Sequence, residues 1–422
     1  MKITAIQHPP TRTSYEKPCF FSQPKMSWHR LPLEIRGEIM RHNAVVEKQT
    51  FKTLAIDLES LAEFIQSFSD KKNHRRQLLR HLYLQAEVRN QADLLGKLVP
   101  SMFAFLGYWD SENIVQRCET GFCLELRLVS SCKECGLDVC GHDIGHLFRQ
   151  ESKIPQVPNP IEIISRGLPV VEAIHSFVKT NSDCLWELCE LSPTRLLDIL
   201  WSLEGLTRVR IEAAVRGGID HQKDANFDLI EHIQEWPHPI DTIEVGALSH
   251  PWRDDADVQE MEYLGNLMAL LSMALKNLTV YNLIDACHFF AELQRLQDED
   301  LRECTSLVTL NLTLRAMSFP GSDDPGEAKA EICDFFIMAG KVCRKIPSLQ
   351  QVTIFSTEFE SFQVFQYAAK SGTATIVWTY DKEELPKDVE LVWRDIADQN
   401  RLELKVSTDD GDLAWVPWQS HF

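Results

Sequence analysis

Five times between residues 192 and 354 the chain runs through an amphipathic helical stretch, a short link and a brief run of Leu, Ile and Val. That order demands a sheet whose strands are separated by covering helices, because neither element alone can bury its apolar side. The clearest instance is SPTRLLDILWSLEGLTRVRIE. There Ser192 is placed to cap a helix and Pro193 suits its first turn, while Leu196, Leu197, Leu200 and Leu203 form one stripe. Thr207–Ile211 then alternates with the period of two that a strand requires. The same unit recurs with a helix around Leu229–Trp236 before Ile240, Ile243 and Val245, and with Val258–Leu275 before Leu278 and Val280. It returns with Phe289–Leu296 before Leu307, Leu310 and Leu312, and with Ile332–Val342 before Leu349, Val352 and Ile354. Taking Ile211, Val245, Val280, Leu312 and Ile354 as equivalent positions, the intervals are 34, 35, 32 and 42 residues, a loose period.

Units this small bury their apolar faces only by stacking on neighbours. The pattern L-x-x-L-x-L, at Leu79, Leu82 and Leu84, at Leu275, Leu278 and Val280, and at Leu307, Leu310 and Leu312, is the inner-strand signature of leucine-rich repeats. The fold expected is therefore α/β: an irregular leucine-rich-repeat-like solenoid of helix–strand units over residues 50–406. A single doubly wound α/β domain uses the same alternation and stays open as the alternative.

Residues 1–25 carry Pro9, Pro10, Pro18 and Pro24 among Ser and Thr and read as a disordered leader, or as lying upstream of a start at Met26. Residues 407–422 read as a C-terminal tail. Between leader and array, WHRLPLEIRGEIM at residues 28–40 sets Leu-Pro ahead of a helix whose Ile35 and Ile39 share a face. Pro32 near the helix start forfeits no needed amide. Such a helix docks either on the chain's own repeats or on a partner.

The segment resembles the start of a large group of F-box proteins of filamentous fungi, which open with Trp followed by LPLEIR. The resemblance continues through EKQTFKTLAI, HRRQLLRHLYLQ, FCLELRLVS, LPVVEAIHSFV, LLDILWSLEGLTRVRIE, IPSLQQVTIFST, ATIVWTY and VELVWRDIA, in order, across most of residues 28–406. It implies a substrate-recognition subunit of a Skp/cullin/F-box ubiquitin ligase, with the repeats selecting a protein target. By that resemblance Trp28, Leu31, Pro32, Leu33, Ile35 and Ile39 face the Skp-type adaptor, which bridges to the cullin. In the group about twenty further residues follow the LPLEIR helix, whereas here NAVV joins it directly to EKQTF, so the F-box-like segment 26–49 is truncated. A repeat scaffold without ligase attachment is the alternative.

Lys and Arg total 43 against 62 Asp and Glu, a net charge of −19 that repels phosphate backbones and anionic lipid. Neither nucleic acid nor a membrane is expected as partner: the longest apolar stretches fall short of the roughly 20 residues a membrane helix needs, and Met1–Thr13 has no apolar core of signal-peptide length. The chain is read as cytoplasmic or nuclear. In a reducing compartment Cys184, Cys189, Cys287, Cys304, Cys333 and Cys343, all among apolar neighbours, are expected to be buried free thiols.

The sharpest chemical motif is SCKECGLDVCGHDIGHLF, where Cys132, Cys135, Cys140 and His146 have ligand types suited to zinc, with His142 nearby. A loop of reduced thiols, needing no cofactor, is the competing reading. Phosphate-binding glycine loops, nucleophile elbows and zinc-protease helices have no matching motif, so an enzyme is not expected. The pairs Asp254-Asp255, Asp323-Asp324 and Asp409-Asp410 read as solvated loops, and KKNHRR at residues 71–76 as an exposed turn.

Overall fold

The computed structural model describes residues 51–69, 75–87, 97–110, 121–129, 168–180, 193–213, 227–237, 240–247, 258–296, 301, 304–314, 325–356, 363–380 and 384–408. The leader, the F-box-like segment, the Cys132–His146 cluster and the three acidic pairs lie outside these residues. Within them the chain is α/β with a mostly parallel arrangement of twelve strands, and it divides into two compact units.

The first unit falls within Met1–Asp138, Ile161–Val178 and Ser202–Gly205. It holds β1 (Thr53–Ile56), α1 (Leu61–Phe68), the single turn α2 (Arg75–Leu78), β2 (His81–Glu87), α3 (Val99–Asp110), β3 (Phe122–Val129) and all but the last two residues of β4 (Ile174–Thr180). β1, β2 and β3 run parallel, with Leu54 beside Leu82 and Leu82 beside Leu124. α1 stacks Phe64 on Phe68 at 4.7 Å and buries both rings. The basic run read as an exposed turn corrects itself at Arg76, which is buried. Its Nε donates to Phe68 O at 2.7 Å and its Nη2 to Ser69 O at 3.0 Å. The guanidinium satisfies carbonyls that the end of α1 would otherwise leave without donors.

The second unit falls within Val139–Pro160, Lys179–Trp201 and Leu206–Phe422. It contains α4 (Pro193–Trp201), β5 (Arg208–Ala213), a helical stretch at 227–233, β6 (Thr242–Ala247), α5 (Val258–Ser272), β7 (Asn277–Tyr281), α6 (Ala286–Arg295), β8 (Thr309–Thr313), α7 (Pro325–Cys343) and β9 (Gln351–Ser356). Pro193 opens α4, as its fixed φ favours. β5 to β9 are parallel in chain order, and Ile211, Val245, Val280, Leu312 and Ile354 pair across the successive strands. The five positions taken as equivalent in the sequence are thus one continuous row. Each is at most 1% exposed.

Beyond β9 the alternation changes. β10 (Gln363–Lys370) is antiparallel to both β9 and β11 (Thr373–Trp378), while β12 (Glu403–Ser407) returns parallel to β11 after α8 (Lys387–Gln399). Only residues 357–362 separate β9 from β10, too few for the crossover of about a dozen that a parallel pair needs. Ser371 and Gly372, at φ 51° and 86°, make the two-residue turn between β10 and β11. The same-side residues Phe365 and Trp378 pair in register and meet Phe336 of α7 and Trp393 of α8 in an aromatic cluster. Trp393 Nε1 donates to Phe336 O at 3.1 Å, so its one polar atom is satisfied inside that core.

Asn282 joins three strand ends. Its Nδ2 donates to Ala247 O at 3.2 Å at the end of β6, and its own N–H to Thr313 Oγ1 at 3.0 Å at the end of β8. Holding both requires φ 56°, a left-handed conformation that Asn tolerates better than most residues. Asn282→Ala loses the amide bond and keeps the backbone strain, for an expected cost of about 1–3 kcal/mol. Asn282→Gly, which relieves the strain, should cost less. Urea unfolding of both variants measures the difference.

Candidate recognition face

Alternate residues of a strand point to opposite sides, so the aliphatic row fixes a second, polar row between its members. Arg210, Glu244, Thr279, Asn311, Thr353 and Gln366 stand side by side across β5 to β10. One step nearer the strand starts, Arg208, Thr242, Asn277, Thr309 and Gln351 form a parallel row. Continuing through Ala368 and Thr375, it ends at Lys405.

Amides bridge these strands to threonine hydroxyls. Asn277 Nδ2 donates to Thr242 Oγ1 and Asn311 Nδ2 to Thr279 Oγ1, both at 2.9 Å, and Gln366 Nε2 to Thr353 Oγ1 at 3.2 Å. The inner row is thereby closed off: Asn311 and Thr353 are 1% and 0% exposed. The outer row is the accessible one. Arg208 and Lys405 are exposed, and Asn277, Thr309, Gln351 and Thr375 are half-buried.

Charge is concentrated at the β5–β6 end. Arg208 Nη2 hydrogen-bonds Glu244 Oε1, Arg210 Nη2 lies 3.5 Å from Glu212 Oε1, and Arg210 Nε lies 4.0 Å from Glu244 Oε2. Lys179 Nζ donates to Glu212 O at 3.2 Å. Glu212 and Glu244 are buried, whereas the Arg208 side chain is 54% exposed.

Of the thiols predicted to be buried, Cys304 and Cys343 are buried and Cys287 and Cys333 half-buried. Burial pushes the Cys287, Cys304 and Cys343 thiols up, with Asp285 adding to the effect at Cys287. Cys184 and Cys189 lie outside the described residues, as do Cys132, Cys135, Cys140 and His146 of the zinc candidate and Trp28, Leu31, Pro32, Leu33, Ile35 and Ile39 of the adaptor candidate. Among the described residues no group of three His, Cys, Asp or Glu side chains is arranged to hold a metal ion. No described helix is long and apolar enough to cross a membrane. Sequence reading missed the polar rows because Thr and Asn at alternate strand positions read simply as solvent-facing. The signal was present in their recurrence at one strand position, as Thr242, Asn277 and Thr309.

Residues 225–421 are similar to a family of unknown function (DUF6546). The matched stretch holds β6 to β12 and α5 to α8, and therefore most of both polar rows. No curated protein matches the chain.

Glu244 is the pivot of the charge network, so Glu244→Gln is expected to destabilise by about 1–3 kcal/mol by leaving Arg210 with one fewer carboxylate. Arg208→Ala should cost under about 1 kcal/mol, because that guanidinium already reaches water. A double-mutant cycle by urea unfolding checks both values.

Proposed function

We propose that the chain is an F-box-like substrate-recognition subunit of a Skp/cullin/F-box ubiquitin ligase that binds a protein target through the polar face of β5 to β12. The observation that carries the recognition half is the contrast between the two sides of one sheet. Ile211, Val245, Val280, Leu312 and Ile354 are interchangeable aliphatics, while the outer polar row on the opposite side runs Arg208, Thr242, Asn277, Thr309 and Gln351. Repetition supplies a rigid platform, and variation of the intervening residues gives that platform a chemically specific surface. In this reading the helix–strand units stack as a leucine-rich-repeat-like array, the protein acts in the cytoplasm or nucleus, and it catalyses nothing itself.

The ligase half rests on the resemblance of residues 26–49, through which Leu31, Pro32, Ile35 and Ile39, with Trp28 and Leu33, would meet the adaptor. The absent second half of that motif favours one other reading, a protein-binding scaffold without ligase attachment. Affinity purification of the full chain separates the two. The Skp adaptor and cullin should be recovered with the unaltered protein and lost with Leu31→Ala plus Pro32→Ala. Thr309→Lys with Gln351→Lys, on the accessible row, should lose the target while retaining the adaptor. Recovery of a target without Skp or cullin would leave only the scaffold.

A further inference from the structure

The first unit holds a cavity of about 60 Å³ between β1 and α1. Phe51, Leu54, Ile56, Phe64 and Phe68 give it apolar walls, and Asp57, Ser60 and Glu63 give it a polar side. The rings lean on one another. Phe68 stacks on Phe64 and meets Phe51 edge to face at 5.7 Å, and Phe64 meets Phe105 of α3 in the same way at 5.7 Å. Interlocked rings resist collapse into the space beside them.

Local hydrogen bonding leaves Glu63 unsatisfied. Ser60-Leu61-Ala62-Glu63 has the spacing of a capping box, in which the glutamate accepts the N–H of the serine. Here Asp57 takes that place, its Oδ1 accepting Ser60 N–H at 2.8 Å and the Ser60 hydroxyl at 2.6 Å. Ser60 makes no side-chain cap, and half-buried Glu63 is left without the donor that its position in the sequence provides. Its Oε1 is shut from water and accepts no hydrogen bond, and no ion pair engages the side chain among the described residues.

A carboxylate without a donor, lining the same cavity as three aromatic rings, combines two attractions for one kind of group. The carboxylate draws positive charge, and aromatic rings stabilise a cation that has shed part of its water. Size narrows the choice. A water molecule takes about 30 Å³ of liquid volume, so the cavity has room for an ammonium and the methylene that carries it. A metal ion is disfavoured, because most of the wall is carbon and Asp57 Oδ1 is already committed to Ser60. We propose that this cavity binds a primary alkylammonium group, with Glu63 as the anionic partner and Phe51, Phe64 and Phe68 enclosing the adjoining methylene. The site does not depend on the polar face of β5 to β12. Its ligand chemistry is that of a lysine side chain on a binding protein or of a small free amine.

The test uses the full-length protein with methyl-labelled Leu, Ala and Ile, and follows Leu54, Ala55 and Ile56, which line the cavity, by NMR at constant ionic strength. Titration with n-butylammonium chloride should shift these resonances saturably, with a dissociation constant about tenfold below that of n-butanol, the discrimination that one hydrogen bond to a charged group gives. Tetramethylammonium chloride, equally charged but too large for the cavity, should leave them in place. In Glu63→Gln protein, with circular dichroism confirming the fold, the preference for ammonium over alcohol should disappear. A blocked five-residue peptide with one central lysine separates the two sources: tighter binding than n-butylammonium assigns the site to a lysine of a binding protein, weaker binding to a free amine. Absence of a saturable shift with n-butylammonium overturns the proposal. Equal binding of n-butanol or tetramethylammonium does so too, as does an unchanged preference in folded Glu63→Gln protein. If Glu63→Gln fails to fold, the comparison of the three probes on the unaltered protein still decides.

Discussion

The second unit depends on one row of side chains. Ile211, Val245, Val280, Leu312 and Ile354 run across five parallel strands with no break in register, each shut from water. A one-residue slip of any strand would turn its aliphatics to the other side and carry polar residues under the helices, so the register is enforced at every step. The links between these strands are not held to that standard. Their spacing ranges from 32 to 42 residues while the pairing stays constant. Closing a longer loop adds only a slowly growing entropic penalty, whereas misplacing an aliphatic row forfeits burial along its whole length.

The same constraint explains how the series ends. After β9 the apolar side no longer receives one helix per strand, and aromatic side chains take over the space. Phe336, Phe365, Trp378 and Trp393 fill the area between the β10–β11 hairpin and the two helices α7 and α8. Large rings bury more surface per residue than Leu or Val and so compensate for fewer covering elements. β12, which is paired only through β11 among the described strands, carries Glu403 and Lys405, both exposed. Charge on such a strand discourages pairing with another chain.

Much of this was legible in the sequence because hydrophobic period is a direct image of burial. The equivalence of the five aliphatic positions and the placement of Pro193 at a helix start follow from period and backbone geometry alone. What escaped were residues whose role is set by a distant partner. Arg76 sits in a basic run that reads as solvated, yet two carbonyls at the end of α1 draw it inside. Asn282 looks like any polar residue after a strand until Ala247 and Thr313 are brought to it. The β10–β11 turn was signalled by Ser371-Gly372 but was obscured by the expectation of one unbroken alternation. Of the candidate face, the aliphatic half was readable and the polar half was not, since alternation distinguishes the sides of a strand without revealing that Thr353 and Gln366 bond each other.

The polar face also reconciles two facts about charge that pull in opposite directions. The chain as a whole carries −19, but the β5–β6 end brings Arg208 and Arg210 against two carboxylates, with Lys179 on the Glu212 carbonyl. Burying Glu212 and Glu244 among cations gains little stability, because desolvation cancels most of the attraction. It does fix the directions in which the guanidinium groups point, and Arg208 keeps over half its side chain in water. At ordinary ionic strength charges are screened beyond about 10 Å, so the net charge governs approach and solubility while this local arrangement governs contact. A recognition face can therefore offer a positive, pre-oriented group within an acidic chain, with the Thr–amide bonds beside it holding neighbouring strands in place.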